Sequence, residues 1–157
     1  METKSSRSAA TGEIRASLRE LRAQLSLLNH YVGQRMELRD VDLDCLDLLD
    51  RAGPMSPSTL ARQAGLHPAT VTGILDRLQR QGWVVRERDP ADRRGVVVSA
   101  QRDRAADLAE LYSGMNAAIT RICGGYSGEE LTLIAGFLRR TIEAGQRSAE
   151  DLSESAS

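Results

Sequence analysis

The sequence has few of the residues that build catalytic or metal sites. Its 157 residues include two histidines and two cysteines, Cys45 and Cys123. Two widely separated cysteines exclude a disulfide scaffold and match no zinc-ligand spacing, and we predict that both are buried in the core. We see no nucleophile paired with a base and no phosphate-binding loop, so we predict a protein that is not an enzyme and that has no cofactor or metal.

Long apolar runs are also missing from the sequence. No segment of about 18 apolar residues is present, which excludes a membrane-spanning helix. The polar start METKSSRSAATGE lacks the apolar region of a signal peptide. We therefore expect a cytoplasmic protein, and the length fits one domain.

Charge is distributed unevenly along the chain. The formal net charge is −1, yet nine arginines face five acidic residues between Pro54 and Arg104, a net +4 that leaves −5 for the remainder. A solvated charged face would not need the two signs to segregate. This asymmetry is typical of a module that binds an anionic partner.

The basic segment begins with the pattern of a helix-turn-helix. Ser56-Pro57 predicts the start of one helix, Gly65 permits the left-handed backbone of a tight turn, and His67 is the predicted N-cap of a second helix. In that second helix the core positions follow a helical period: Val71, Ile74, Leu75 and Leu78. The residues turned outward are then mostly short: Ala69, Thr70, Thr72, Gly73, Asp76, Arg77 and Arg80.

An arginine-rich hairpin follows the two helices. Residues 83–88 and 95–99 predict two β-strands, with Trp83 as an anchor in the core and residues 89–94 as the tip. Arginine suits the negative potential of a narrow minor groove. The residues that we predict to contact DNA are Ser56, Thr59, Arg62, Pro68, Ala69, Thr70, Thr72, Gly73, Arg77, Arg86, Arg88, Asp92, Arg93 and Arg94.

Longer helices are predicted on both sides of this segment. Residues 1–12 show no apolar periodicity and predict a disordered arm, and residues 148–157 predict a frayed tail. Residues 13–36 carry an apolar stripe longer than a small domain needs, which favours packing against a partner. Further helices are predicted over 40–51, over 101–123, and after Ser127, which forms a capping box with Glu130.

The order of these elements resembles the MarR family of bacterial winged-helix transcriptional regulators. The resemblance covers about Leu18 to Leu138, and three motifs carry it. They are Leu60-Ala61-x3-Gly65-Leu66-x3-Thr70-Val71-Thr72, Leu78-x3-Gly82 and Asp89-Pro90-x-Asp92-x-Arg94. The resemblance implies a mainly α fold with a small β-wing (α+β), as a single domain over 13–147. In it, 13–36 and 101–147 are dimerisation helices and 40–100 form the winged helix-turn-helix lobe.

The same resemblance implies a function. It implies a homodimer that places residues 68–81 in the major groove of a near-palindromic double-stranded operator. Arg94, steadied by Asp92, would reach the minor groove. Many family members repress genes and release DNA when a small aromatic ligand binds. Here that pocket would lie near His30, Tyr31 and Cys45.

Two departures from the family pattern change the expected start of the fifth helix and weaken a redox role, and two alternative functions stay open. After the second wing strand the family usually has Leu-Thr, two variable residues and Gly, whereas this chain has Ala100, Gln101 and Arg104 at those positions. The first helix lacks the reactive cysteine of the peroxide-sensing branch. One alternative is a small-molecule or redox sensor whose DNA binding is secondary. Another is an adaptor without DNA binding, against which the segregated positive charge argues.

Overall fold

The computed structural model describes residues 4–90 and 95–155. Across these ranges the elements run α1 (Lys4–Met36), α2 (Asp40–Ala52), α3 (Pro57–Ala64), α4 (Pro68–Arg80), β1 (Val84–Arg88), β2 (Val96–Ala100), α5 (Arg102–Cys123) and α6 (Gly128–Glu154). The predicted mainly α fold with one small sheet is confirmed. The chain divides into two compact units between Leu111 and Tyr112, within α5.

The core of the first unit lies where α2, α3, α4 and the hairpin meet. Helix α3 packs against α2 and α4, and β2 lies against α2 and α3. All four apolar positions predicted for the core of α4 are buried. The same unit holds further fully buried residues outside α4, namely Leu60, Trp83, Val84 and Val98. Each large aliphatic side chain buried in this way stabilises the fold by about 1.5–3 kcal/mol.

Local capping fixes the turn between α3 and α4. The Ser56 hydroxyl accepts a hydrogen bond from the Thr59 N–H at 3.2 Å and so caps α3. Gly65 ends α3 in the left-handed conformation, with φ of 64°. His67 caps α4 as predicted, because its Nδ1 accepts from the Ala69 N–H at 3.3 Å. These three contacts set the direction in which α4 leaves the turn.

The two strands form an antiparallel hairpin in which Val84 pairs with Ala100 and Arg88 with Val96. Met55, in the loop between α2 and α3, exchanges two backbone hydrogen bonds with Val98, of 3.1 and 2.8 Å. The hairpin is therefore tied to the helical core along β2. The predicted tip residues Asp92, Arg93 and Arg94 lie outside the described residues.

The outer helices extend further than the sequence predicts. Helix α1 begins at Lys4, so the disordered arm predicted over residues 1–12 is wrong for residues 4–12, and α6 continues past 147 to Glu154. The side chains of Ser5–Glu13 are all exposed. This stretch has no apolar stripe to bury, yet its alanine and arginine content and lack of proline still allow a helix. Among the described residues, no helix is long and apolar enough to cross a membrane.

The second unit consists of the end of α5 together with α6. The predicted capping box at the start of α6 is confirmed: the Ser127 hydroxyl accepts from the Glu130 N–H at 3.2 Å, and the Glu130 carboxylate accepts from the Ser127 N–H at 2.7 Å. Hydrogen bonds to the Glu130 carboxylate from Ser127, first from its backbone N–H and then from its side chain, lower the pKa of Glu130. Helix α6 leaves large apolar side chains exposed, among them Leu133, Ile134, Leu138 and Ile142.

Candidate nucleic-acid interface

In the first half of α4, the residues on the exposed face have short side chains. Ala69, Thr70, Thr72 and Gly73 are all exposed. The Thr72 hydroxyl donates to the carbonyl oxygen of Pro68 at 3.1 Å, within the same helix. No long side chain projects from these positions, so the α4 backbone itself is accessible to a partner.

Among the residues that the structure describes, no internal contact requires a glycine at position 73. It lies in a regular helix, and a Cβ built on it would meet no other atom within 4 Å. A glycine in a helix interior costs about 1 kcal/mol relative to alanine. A residue that costs stability and serves no internal packing is suited to close approach by an external partner.

The negative charge on the α4 face has a partner on the hairpin. Arg86 of β1 places its Nη2 2.7 Å from Asp76 Oδ1, and the Arg86 side chain is only 27% exposed. This pairing offsets a carboxylate that would otherwise repel a phosphate backbone. Sequence reasoning assigned Arg86 to DNA without its acidic partner, since the two residues lie on different elements.

Arg77 does not face outward with its neighbours on α4, and this prediction is wrong. Its guanidinium pairs with Asp42 of α2, whose side chain is fully buried. The Arg77 Nε donates to Asp42 Oδ2 at 3.2 Å, and this hydrogen bonding raises the pKa of Arg77. A carboxylate without solvent needs a positive partner, and Arg77 supplies it. The Arg77 guanidinium is therefore engaged inside the chain, and its predicted contact with DNA stays a prediction.

The remaining described residues of the predicted set are Pro68, exposed at the first position of α4, and residues at or in α3 and β1. Ser56 and Thr59 form the cap of α3, where the Ser56 hydroxyl also donates to Thr59 Oγ1 at 2.9 Å. Arg62 lies at the exposed C-terminal end of α3, and Arg88 is exposed at the end of β1 nearest the wing tip. Both arginines present positive charge to solvent on the lobe that carries α4.

The predicted ligand pocket is only partly assembled. His30 and Tyr31 are both exposed, with ring centroids 6.0 Å apart, and His30 Nδ1 lies 3.8 Å from an oxygen of Asp40. Cys45, in contrast, is 0% exposed. It therefore lines no accessible surface and is wrong as a pocket residue. Burial, with nearby Asp42 and Asp44, raises the pKa of its thiol to about 11.

Comparison with known proteins identifies the family. The family model described as "MarR family" matches residues 38–96, which span α2 through the start of β2. The HTH-type transcriptional regulator YcgE of Bacillus subtilis is 31% identical over 154 residues, which are 98% of this chain and all of that protein. The chain belongs to the MarR family. It is accordingly a DNA-binding transcriptional regulator and not an enzyme.

Other transcriptional regulators are similar over about half of the chain. The repressor YetL of Bacillus subtilis is 31% identical over 84 residues, 54% of this chain and 50% of YetL. The multiple antibiotic resistance protein MarR of Salmonella typhimurium is 32% identical over 80 residues, 51% of this chain and 55% of that protein.

Solved structures confirm the fold at lower identity. A MarR family protein from Bacillus stearothermophilus superposes with a TM-score of 0.69 at 19% identity, covering 88% of this chain and 97% of that one. RV1404 of Mycobacterium tuberculosis gives 0.66 at 22% identity, covering 92% and 96%. The winged helix-turn-helix architecture predicted from the sequence is thus the fold of these solved structures.

Proposed function

We propose that this chain acts as a homodimeric repressor that binds a near-palindromic operator in double-stranded DNA. The observation that carries the proposal is the exposed face of α4, whose side chains are short, on a lobe that also carries the exposed Arg62 and Arg88. A major groove about 12 Å wide admits a helix. Short residues let the α4 backbone and its threonine hydroxyls reach phosphates and base edges.

The proposed DNA contacts follow from this docking. Helix α3 and the wing would grip the backbone on either side of α4, while Arg86 serves as the counter-charge of Asp76. The contact residues are Ser56, Thr59 and Arg62 of α3, Pro68, Ala69, Thr70, Thr72 and Gly73 of α4, Arg88 of β1, and Asp92, Arg93 and Arg94 at the wing tip.

Pairing of two copies is supported by apolar side chains exposed on the long helices. Ile14, Leu21 and Leu25 of α1 are 40–44% exposed, and Ile142 of α6 is 61% exposed. Apolar surface of this extent along successive helical turns is typical of an interface. Two copies would then place two α4 helices on half-sites about 34 Å apart, one turn of DNA.

The proposal also includes repression, and release of the DNA when a small ligand binds. YetL, which is 31% identical to this chain over 84 residues, is a repressor by name. The exposed pair of His30 and Tyr31 offers ring faces on which a small aromatic compound could stack. Binding there would free the operator if it favours a conformation that DNA does not.

The proposal is tested by selecting genomic fragments with the purified protein and measuring affinity for the selected duplex. Arg94→Ala is expected to weaken binding by more than about 1 kcal/mol and to flatten its salt dependence, since one phosphate-region contact is lost. Arg147→Ala, which removes an arginine from α6, serves as the control and should bind like the native protein. Unchanged affinity in Arg94→Ala would refute the wing assignment.

A sensor whose DNA binding is secondary is the second candidate, and the His30–Tyr31 pair favours it. It requires a melting-temperature shift larger than about 1 °C with saturating ligand and weak, unselective DNA binding. Its redox form is disfavoured because Cys45 has no exposed surface and a raised pKa.

A further inference from the structure

Asp42 is a fully buried carboxylate that binds two different parts of the chain. It lies in the first turn of α2, with 0% of its surface exposed. Its Oδ2 accepts from the Arg39 N–H at 2.9 Å, which caps α2, and from the Arg77 Nε at 3.2 Å. Its Oδ1 pairs with the Arg77 Nη2. One side chain therefore connects the start of α2 with the last turns of α4.

This pair is not the arrangement that stability alone would favour. The desolvation free energy of two buried charges is about as large as the attraction between them. A buried ion pair can therefore often be replaced by apolar residues without loss of stability. The α4 residues on either side of Arg77 along the core face, Leu75 and Leu78, are apolar and fully buried. A charged pair in such a core fixes the orientation of one helix relative to the other, because a guanidinium and a carboxylate align in a defined geometry.

The segment that leads into Asp42 is itself tightly constrained. The Leu38 N–H donates to the Gly33 carbonyl at 2.9 Å, and a Cβ on Gly33 would lie 2.7 Å from the Leu38 oxygen. Glu37 adopts a left-handed backbone with φ of 56°, and its carbonyl accepts from the Gln81 side chain at 3.5 Å. The corner between α1 and α2 thus contacts α4 at two places: Asp42 pairs with Arg77, and the Glu37 carbonyl accepts from Gln81, which follows the last residue of α4.

We propose that Asp42 is a positioning residue for DNA recognition: through Arg77 it fixes the orientation of α4 against the α1–α2 corner, and operator affinity depends on that orientation. This inference rests on the proposed function. Asp42 has no exposed surface and cannot touch DNA, so any effect of changing it on DNA selectivity acts through the two elements that it holds, α2 and α4.

The decisive experiment replaces the pair by apolar residues, in the double variant D42L/R77M. The substitution removes one negative and one positive charge, so the net charge and the general attraction to phosphates are unchanged. We expect an unchanged or higher melting temperature, unchanged affinity for a random duplex, and operator affinity at least tenfold weaker. Native operator affinity in a folded double variant would overturn the inference.

Single variants separate positioning from direct contact. D42N keeps the size of Asp42, and we expect it to weaken operator binding with the native salt dependence. D47N is the matched control, since Asp47 also lies in α2 but pairs with Arg51 on the exposed face, and it should bind like the native protein. If R77Q lowers the salt slope by about one while D42N binds normally, Arg77 touches DNA and the inference is wrong.

These measurements also distinguish this inference from the proposed function. If D42L/R77M fails to fold, the comparison of D42N with D47N decides, because both remove one carboxylate from the same helix. Equal operator affinities in D42N and D47N would overturn the inference alone. A native protein that selects no duplex at all would overturn the proposed function and the inference with it.

Discussion

Arg104 lies over the ring of Trp83, with its guanidinium carbon 4.1 Å from the ring centroid. The backbone of Trp83 is held on both sides, since its N–H donates to Leu78 at the end of α4 and its carbonyl accepts from Gln101 before α5, both at 2.8 Å. Arg104 occupies the position at which the MarR-family pattern usually has glycine. The departure seen in the sequence thus supplies a cation that covers the indole where α4, the hairpin and α5 meet.

The first prediction concerns Arg104→Ala. A cation over an aromatic ring contributes about 0.5–1 kcal/mol at a partly exposed site, so we expect a loss of about that size in the free energy of unfolding. Trp83 is the only tryptophan, and its fluorescence should shift to longer wavelength as water reaches the ring. Arg104→Lys, which keeps the charge, should shift the emission less. Identical spectra for the native protein and Arg104→Ala would show that Arg104 does not cover the indole.

The features that the sequence predicts correctly are the local ones. The buried period of α4, the left-handed turn at Gly65 and the cap at His67 depend on residues a few positions apart. In contrast, the partners of Arg77 and Arg104 lie on other elements. Helical periodicity indicates the direction in which a side chain leaves its own helix, but it does not identify the charged residue on a neighbouring helix. The pairing of Arg77 with Asp42 could therefore not be predicted from it.

The second prediction concerns Gly73→Ala. Alanine should stabilise α4 by about 0.5–1 kcal/mol, because the site has room for a Cβ. If α4 approaches DNA closely at this point, the same variant should bind the operator several-fold more weakly. Gly136→Ala in α6 is the matched control, since a Cβ there also meets no atom within 4 Å. Operator affinity in Gly73→Ala equal to that of the control would argue that DNA does not approach the α4 backbone here.

The third prediction concerns thiol reactivity. Cys45 is fully buried with a pKa of about 11, whereas Cys123 is partly exposed, so the prediction that both cysteines are buried is wrong for Cys123. Because the thiolate is the reactive form, iodoacetamide at pH 8 should label Cys123 and leave Cys45 unmodified in the native protein. Cys123→Ser should therefore take up label only after denaturation, and peroxide should leave its operator binding unchanged. Rapid labelling of native Cys123→Ser would revive the redox-sensor alternative.

The fourth prediction follows from the same thiol and concerns alkaline stability. Cys45 stays protonated in the folded chain up to about pH 11 but ionises near its ordinary pKa of 9.0 once unfolded. The unfolded state therefore binds fewer protons in this window, and stability falls as pH rises, by about 1.4 kcal/mol per unit. Cys45→Ala should lose less stability than the native protein between pH 9 and 11. Parallel losses in denaturant titrations of the two proteins would contradict the shifted pKa.

The fifth prediction concerns the exposed apolar face of α6. Ile142 is 61% exposed in the single chain, and burying such a side chain contributes about 1.5–3 kcal/mol. A two-fold interface would bury it in both copies, so Ile142→Glu introduces two unpaired charges there. We expect light scattering to give a mass near 17.2 kDa for Ile142→Glu and twice that for the native protein. Arg140→Glu, which alters the opposite side of the same helix, should remain dimeric. Because one half-site alone binds one copy weakly, the monomeric variant should also bind the operator more weakly than the native protein. If Ile142→Glu remains dimeric, this face of α6 is not part of the interface.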